Sequence, residues 1–166
     1  MRVRRLSWVT LLAALLLLGG CGGPSFEEGM TAYQQGDYEK AAAIWDKVAR
    51  SGHPGAQYYL GNLHRAGLGV AEDPAEAAGW FRRAARQGHA QAQFNLAYLH
   101  AEGRGVKRDP ASAYKWYRLA AAGLSSRPRQ AEARRNAERL AEEIPPERLR
   151  ALRQELKDWS PRPEGG

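Results

Sequence analysis

Apolar residues recur along this chain at intervals of three and four, broken by short glycine-bearing stretches at regular distances. Ala56, Leu60 and Leu63 lie on one helical face, and Gly67, one turn further on, supplies a left-handed stop. Asp73-Pro74 then reads as an N-cap acceptor followed by a proline at the first helical position, where its missing N–H costs nothing. A second stripe follows in Ala77, Trp80, Phe81, Ala84 and Ala85, and stops at Gly88. The same order then returns as Ala92, Leu96, Leu99 and Gly103, then Asp109-Pro110, then Ala113, Trp116, Tyr117, Ala120 and Ala121. Gln57 and Gln93 are 36 residues apart. At that offset Gly52-His53 falls on Gly88-His89, His64 on His100, and Gly67-x-Gly69-Val70 on Gly103-x-Gly105-Val106. A fixed period of this length signals stacked supersecondary units, because one helix hairpin cannot bury its apolar face alone. The predicted fold is all-α, an α-solenoid of antiparallel helix hairpins.

The flanks extend the array. Asp37–Arg50 aligns with Asp73–Arg86 and places Ala41, Ile44, Trp45, Val48 and Ala49 on its apolar face. The helix before it, about Ser25–Gln35, turns at Gly36-Asp37 without a Gly-x-Gly loop. The repeat array therefore spans 26–123, with a degenerate first unit at 26–52 and full units at 53–88 and 89–123. Leu124–Arg129 reads as a linker, and Ala131–Asn136 aligns with Ala90–Asn95 but carries Arg135 where the repeat has Phe94. That helix has a polar outer side and reads as a cap. A last helix starts at Ile144-Pro145-Pro146-Glu147 and carries Leu149, Leu152, Leu156 and Trp159 on one stripe, so 124–159 forms a C-terminal helical cap. Residues 160–166 are rich in Pro and Gly, have no apolar anchor, and are expected to be a disordered tail.

The first twenty residues belong to a different class. Arg2, Arg4 and Arg5 precede the apolar run Val9–Leu18, which is too short to span a bilayer. The run ends in Leu18-Gly19-Gly20-Cys21, which resembles the lipobox of bacterial lipoproteins. That resemblance implies a signal peptide at 1–20, lipidation of Cys21, a tether at 21–25, and an envelope location. If the cell is Gram-negative, Gly22 points to the periplasmic face of the outer membrane. Cys21 is the chain's one cysteine, so no internal disulfide can form. Loss of the three leader arginines takes the formal charge from +7 to about +4, with the remaining cations interspersed among acids. A nucleic-acid footprint would need a basic stripe on one face, and none is expected.

Three motifs of the repeat carry a family resemblance: Ala-x-Tyr/Phe-x-Leu in the first helix, the Gly-x-Gly-Val loop, and Asp-Pro before Ala-x-x-Trp-Phe/Tyr-Arg-x-Ala-Ala. In these the chain resembles Sel1-like repeats, relatives of the tetratricopeptide repeats whose loop lengthens the unit to about 36 residues. The resemblance implies a bacterial adaptor, often in the envelope. Some relatives carry paired cysteines in each unit; this chain has none there, and properties tied to those disulfides do not carry over.

Candidate chemistry reduces to a surface. The four histidines recur because the unit recurs, and none share the spacing of a helical metal pair. No metal or other cofactor is expected. The Gly-x-Gly loops follow helices and lack the third glycine of a phosphate loop. Glu142-Glu143 reads as a solvated face, and Ser125-Ser126 lacks a nucleophile-elbow context. The chain is expected not to be an enzyme. Off the core stripe of the first helices lie Tyr59, Asn62, Arg65, Asn95, Tyr98 and Glu102, a polar and aromatic wall for a protein or peptide partner if those helices line the concave side. The leading expectation is a lipid-anchored, non-catalytic interaction scaffold. The alternative is a periplasmic enzyme or a glycan-binding module acting on cell-wall material.

Overall fold

The computed structural model describes residues 23–164; the leader, Cys21 and the terminal Gly165-Gly166 lie outside the described residues. Among the described residues there are eight helices and no strand: α1 Phe26–Gln34, α2 Tyr38–Arg50, α3 Pro54–Ala66, α4 Pro74–Arg86, α5 Ala90–Glu102, α6 Pro110–Gly123, α7 Arg127–Ala141 and α8 Pro146–Lys157. None of them is long and apolar enough to cross a membrane. Each helix packs chiefly against its neighbours in sequence, and α8 returns onto α6. The result is the expected helical solenoid.

The helix starts follow the sequence signals. The Asp73 carboxylate accepts from the Ala75 and Glu76 N–H groups at 2.9 and 3.0 Å, and Asp109 does the same for Ala111 and Ser112 at 3.0 and 3.1 Å. Each satisfies donors that the first turn would otherwise leave orphaned. His53 and His89, read from the sequence only as a recurring pair, are N-caps as well. Their Nδ1 atoms accept from Ala56 N–H at 3.1 Å and Ala92 N–H at 3.3 Å.

The second helices each drive one large ring into the array, at equivalent positions: Trp45, Phe81 and Tyr117, all buried. Small residues receive them. A Cβ on Gly61 would lie 2.7 Å from the Phe81 ring, and one on Gly29 would overlap the Trp45 indole. Trp45 also donates its Nε1–H to the Phe26 carbonyl at 3.2 Å, which ties α1 to α2. The other tryptophan position diverges. Trp80 is only 5% exposed, whereas Trp116 is half-buried, because it sits at the edge where α6 meets the returning C-terminal segment.

The Gly-x-Gly-Val loops are the joints. Gly67 and Gly103 end α3 and α5 in the left-handed conformation, as the pattern predicts. The second glycines do something more specific. A Cβ on Gly69 would overlap the Tyr38 and Glu39 backbone, and one on Gly105 would overlap the Pro74 and Ala75 backbone. Each loop therefore sits directly on the start of the second helix of the unit before it.

Two expectations for the C-terminal part are corrected. The linker ends at Ser126 rather than Arg129: α7 starts at Arg127, because Pro128 fits its first turn, and Leu124 is buried beneath it. Residues 160–164, expected to be a disordered tail, run back across the array. Their attachment is polar rather than apolar. Arg162 N–H donates to the Arg86 carbonyl at 2.8 Å, and the Glu164 carboxylate meets Arg83 and Gln57.

Candidate interaction surface

On the first helices, α3 and α5, the six sequence candidates divide. Asn62 and Asn95 meet: Asn95 Nδ2 donates to Asn62 Oδ1 at 3.2 Å, and Asn62 Nδ2 donates to the Tyr58 carbonyl at 3.2 Å. The rung links adjacent units on the face expected to bind. Around it Arg65 and Glu102 are exposed, and Tyr98 is 39% exposed, a large ring left facing solvent.

Tyr59 does not belong with them. Its ring stacks on Trp45 at 4.8 Å, with Phe26 at 5.7 Å and Tyr33 at 5.9 Å, in the aromatic cluster that closes the N-terminal end. Burial there pushes its phenol pKa up. The stripe on α3 leaves Tyr59 outside the core, but α1 covers that flank. The equivalent position in the next unit, Asn95, is flanked by α3 instead and carries the polar rung.

The turn edge of the array, where second helices end and first helices begin, holds what the sequence did not reveal. Gln57 and Gln93 are buried polar side chains, 0% and 2% exposed. Each donates its Nε2–H to the last turn of the preceding second helix, Ala49 O at 3.0 Å and Ala85 O at 3.1 Å. Their burial is thus accounted for structurally. Gln57 has further partners: it accepts from Gln87 Nε2 at 2.8 Å and donates to Glu164 Oε2 at 2.8 Å. Arg83 lies over the Trp80 ring at 4.8 Å and aims its guanidinium at the same carboxylate, with contacts of 3.0, 3.0 and 2.6 Å. Hydrogen bonding from Arg83, more than any other cause, holds the Glu164 pKa below its ordinary value. Beside this seat lies an open cleft of about 830 Å³, lined by Trp116, Trp159, Lys115, Glu155 and Arg162 among others.

A second cleft of about 540 Å³ gathers Arg82, His100, Lys107, Arg108 and Asp109. Two of its groups, Asp109 and Arg108, are engaged in structure. Asp109 caps α6, and Arg108 donates to the Ala101 carbonyl at 3.0 Å and to Glu143 at 2.7 Å. His100 presents a buried Nδ1 without a partner, and burial pushes its pKa down. Among the described residues no three His, Cys, Asp or Glu side chains gather as a metal site.

Comparison with known proteins places this geometry. The Sel1 repeat family model matches residues 54–89 and 90–123. A protective antigen of uropathogenic Escherichia coli displaying an SLR fold superposes with a TM-score of 0.70 at 27% identity, over 82% of this chain and 30% of its own. A Sel1 repeat protein from Oxalobacter formigenes superposes with a TM-score of 0.62 at 33% identity, over 72% of this chain and 47% of its own. The chain thus spans less than half the length of either. A search of curated proteins finds no match. Residues 54–123 thus match two consecutive Sel1 repeats, within an α-solenoid that continues on both sides of them.

Proposed function

We propose that this chain is an envelope lipoprotein, anchored through Cys21, that acts as a non-catalytic scaffold for a protein or peptide partner held on the face of α3 and α5. Sel1 repeats generally mediate protein–protein interactions. The observation that carries the reading is the Asn62–Asn95 rung with exposed Tyr98, Arg65 and Glu102 around it, a surface shared between two units. An exposed tyrosine beside an arginine supplies contact area and directional bonding at little rotamer cost. The anchor is supported by the leader arginines, the short apolar run and the placement of the lone cysteine.

Two experiments test it. Crosslinking and capture from native membranes should fall sharply for Tyr98→Ser combined with Arg65→Ala, with unfolding free energy unchanged within about 0.5 kcal/mol. Equal capture would exclude this face. Cys21→Ser should leave unprocessed or mislocalised protein; wild-type protein recovered without lipid, with a free thiol, would refute the anchor.

One observation favours the glycan-binding alternative: the cleft bearing half-buried Trp116 and Trp159. Titration with soluble cell-wall fragments, read by tryptophan fluorescence, tests it; saturable quenching lost in Trp159→Ala would favour that reading.

A further inference from the structure

Glu164 is received by groups that are positioned without it. Gln57 is fully buried, and its amide is oriented by Ala49 O and by Gln87, which also donates to the Gly52 carbonyl at 2.9 Å. This leaves one Gln57 amide hydrogen directed at the turn edge. Arg83 rests on the Trp80 ring and presents Nε and Nη2 side by side, the fork geometry that matches a carboxylate. Upstream of this pair the track is lined by backbone: the Arg86 carbonyl takes the Arg162 N–H, and Gly88 leaves room for the Pro161 ring, whose carbons lie 3.0 and 3.3 Å from where a Cβ would stand. The array does not repeat this seat. At the next offset, Arg83 and Gln87 become Leu119 and Gly123.

The occupant is lightly held in comparison. Residues 160–163 are exposed, and they form no helix or strand. A preformed carboxylate seat beside a backbone track, filled by an extended and mostly solvated segment, is the arrangement of a peptide site holding a tethered stand-in. We propose that the track from Gly88 to Arg83 and Gln57 is a docking site for an extended acidic segment of a partner protein, with residues 160–164 as the resident segment that this partner displaces. Charge complementarity selects the occupant: a forked cation and a buried amide donor accept a carboxylate, and the open Arg86 carbonyl accepts one backbone N–H. This surface lies on the turn edge, distinct from the α3–α5 face, and stands whether or not that face binds.

The test uses the full chain and a labelled heptapeptide, Asp-Trp-Ser-Pro-Arg-Pro-Glu, identical to residues 158–164, read by fluorescence anisotropy. Tethering gives the resident segment a high effective concentration, so weakening it by Glu164→Gln should tighten peptide binding at least about tenfold over wild type. Adding Arg83→Ala to that background, or replacing the peptide's Glu by Gln, should abolish binding. Arg83→Lys, which keeps the charge but loses the fork, should fall between. A second probe, Asp-Ala-Ala-Pro-Ala-Pro-Glu, should also bind, since recognition rests on the backbone and the carboxylate. Melting curves for each variant check that the fold persists. Equal binding by wild type and Glu164→Gln would overturn the proposal, as would binding retained in Arg83→Ala. Rejection of the second probe would make the seat private to the tail. A concentration-dependent dimer lost in Glu164→Gln would assign it to a second copy of the chain.

Discussion

Replacing Gly105 by Ala should cost more than replacing Gly103 by Ala, although both glycines share a loop and a left-handed backbone. Gly103 has φ 67° and Gly105 has φ 69°, so each alanine meets the same conformational penalty, about 1–2 kcal/mol. Their surroundings differ. A Cβ on Gly103 would lie 3.3 Å from the Arg108 Cβ, a tight contact that a shift of a few tenths of an ångström relieves. A Cβ on Gly105 would overlap the backbone at Pro74 and Ala75, which cannot move without dragging the start of α4. Forced overpacking of this kind adds about 1–3 kcal/mol. Gly105→Ala should therefore lose about 2–5 kcal/mol in total, a large share of the 5–15 kcal/mol typical of a domain. Urea denaturation followed by far-UV circular dichroism measures both variants. Because Gly105 joins two units, its alanine variant should also broaden the transition as the array loses coupling between neighbours. Equal losses for the two variants, with unchanged cooperativity, would show that the loop does not bear on α4 and that the joint lies elsewhere.

Three further outcomes follow from the packing and the titrating groups. Trp45→Ala, at a fully buried ring, should cost about 3–5 kcal/mol, and Trp116→Ala distinctly less, since Trp116 is half-buried; thermal melts of the two separate them. Burial is the leading cause that lowers the His89 and His100 pKa values in the folded state, so the unfolded chain binds more protons below the ordinary value of 6.5. Stability should then fall as pH drops from 7 through that value toward the lowered folded values. His89→Asn, which can still cap α5, should lessen this slope in a series of melts across pH. Glu164 acts lower on the scale: its depressed pKa gives stability that is present above 4.5 and is lost as pH falls through the folded value, so Glu164→Gln should flatten that lower limb.

What the sequence made legible was whatever the unit repeats. The stripes, the Asp-Pro starts and the glycine stops are local and occur twice, so spacing alone placed them. Tyr59 was misjudged because a stripe is read one helix at a time, and the ring is covered by α1, an element with no repeat signature. His53 and His89 were seen as a pair, but histidine is not among the usual capping residues, and its acceptor role became clear only from the Nδ1 geometry. The contact of Arg83 with Glu164 joins residues 81 positions apart and occurs once. Neither period nor composition marks such a contact. The same holds for the second partner of Gln57: its recurrence with Gln93 signalled the unit, while its bond to the tail is peculiar to one copy.

The seating of each loop on the preceding unit bears on how such a chain could grow. Gly69 sits on a helix that starts at Tyr38, and Gly105 on one that starts at Pro74, so the socket tolerates different residues as long as its backbone is the same. A duplicated copy of residues 53–88, inserted after Gly88, would carry a glycine to fit the original Pro74 and a new Pro74 to receive Gly105. It would also carry its own Arg83 and Gln57, at the same distance from the C-terminal segment. Lengthening by whole units therefore requires no compensating change on either side of the insertion, whereas gain or loss of a single residue within a loop would leave one glycine without its socket.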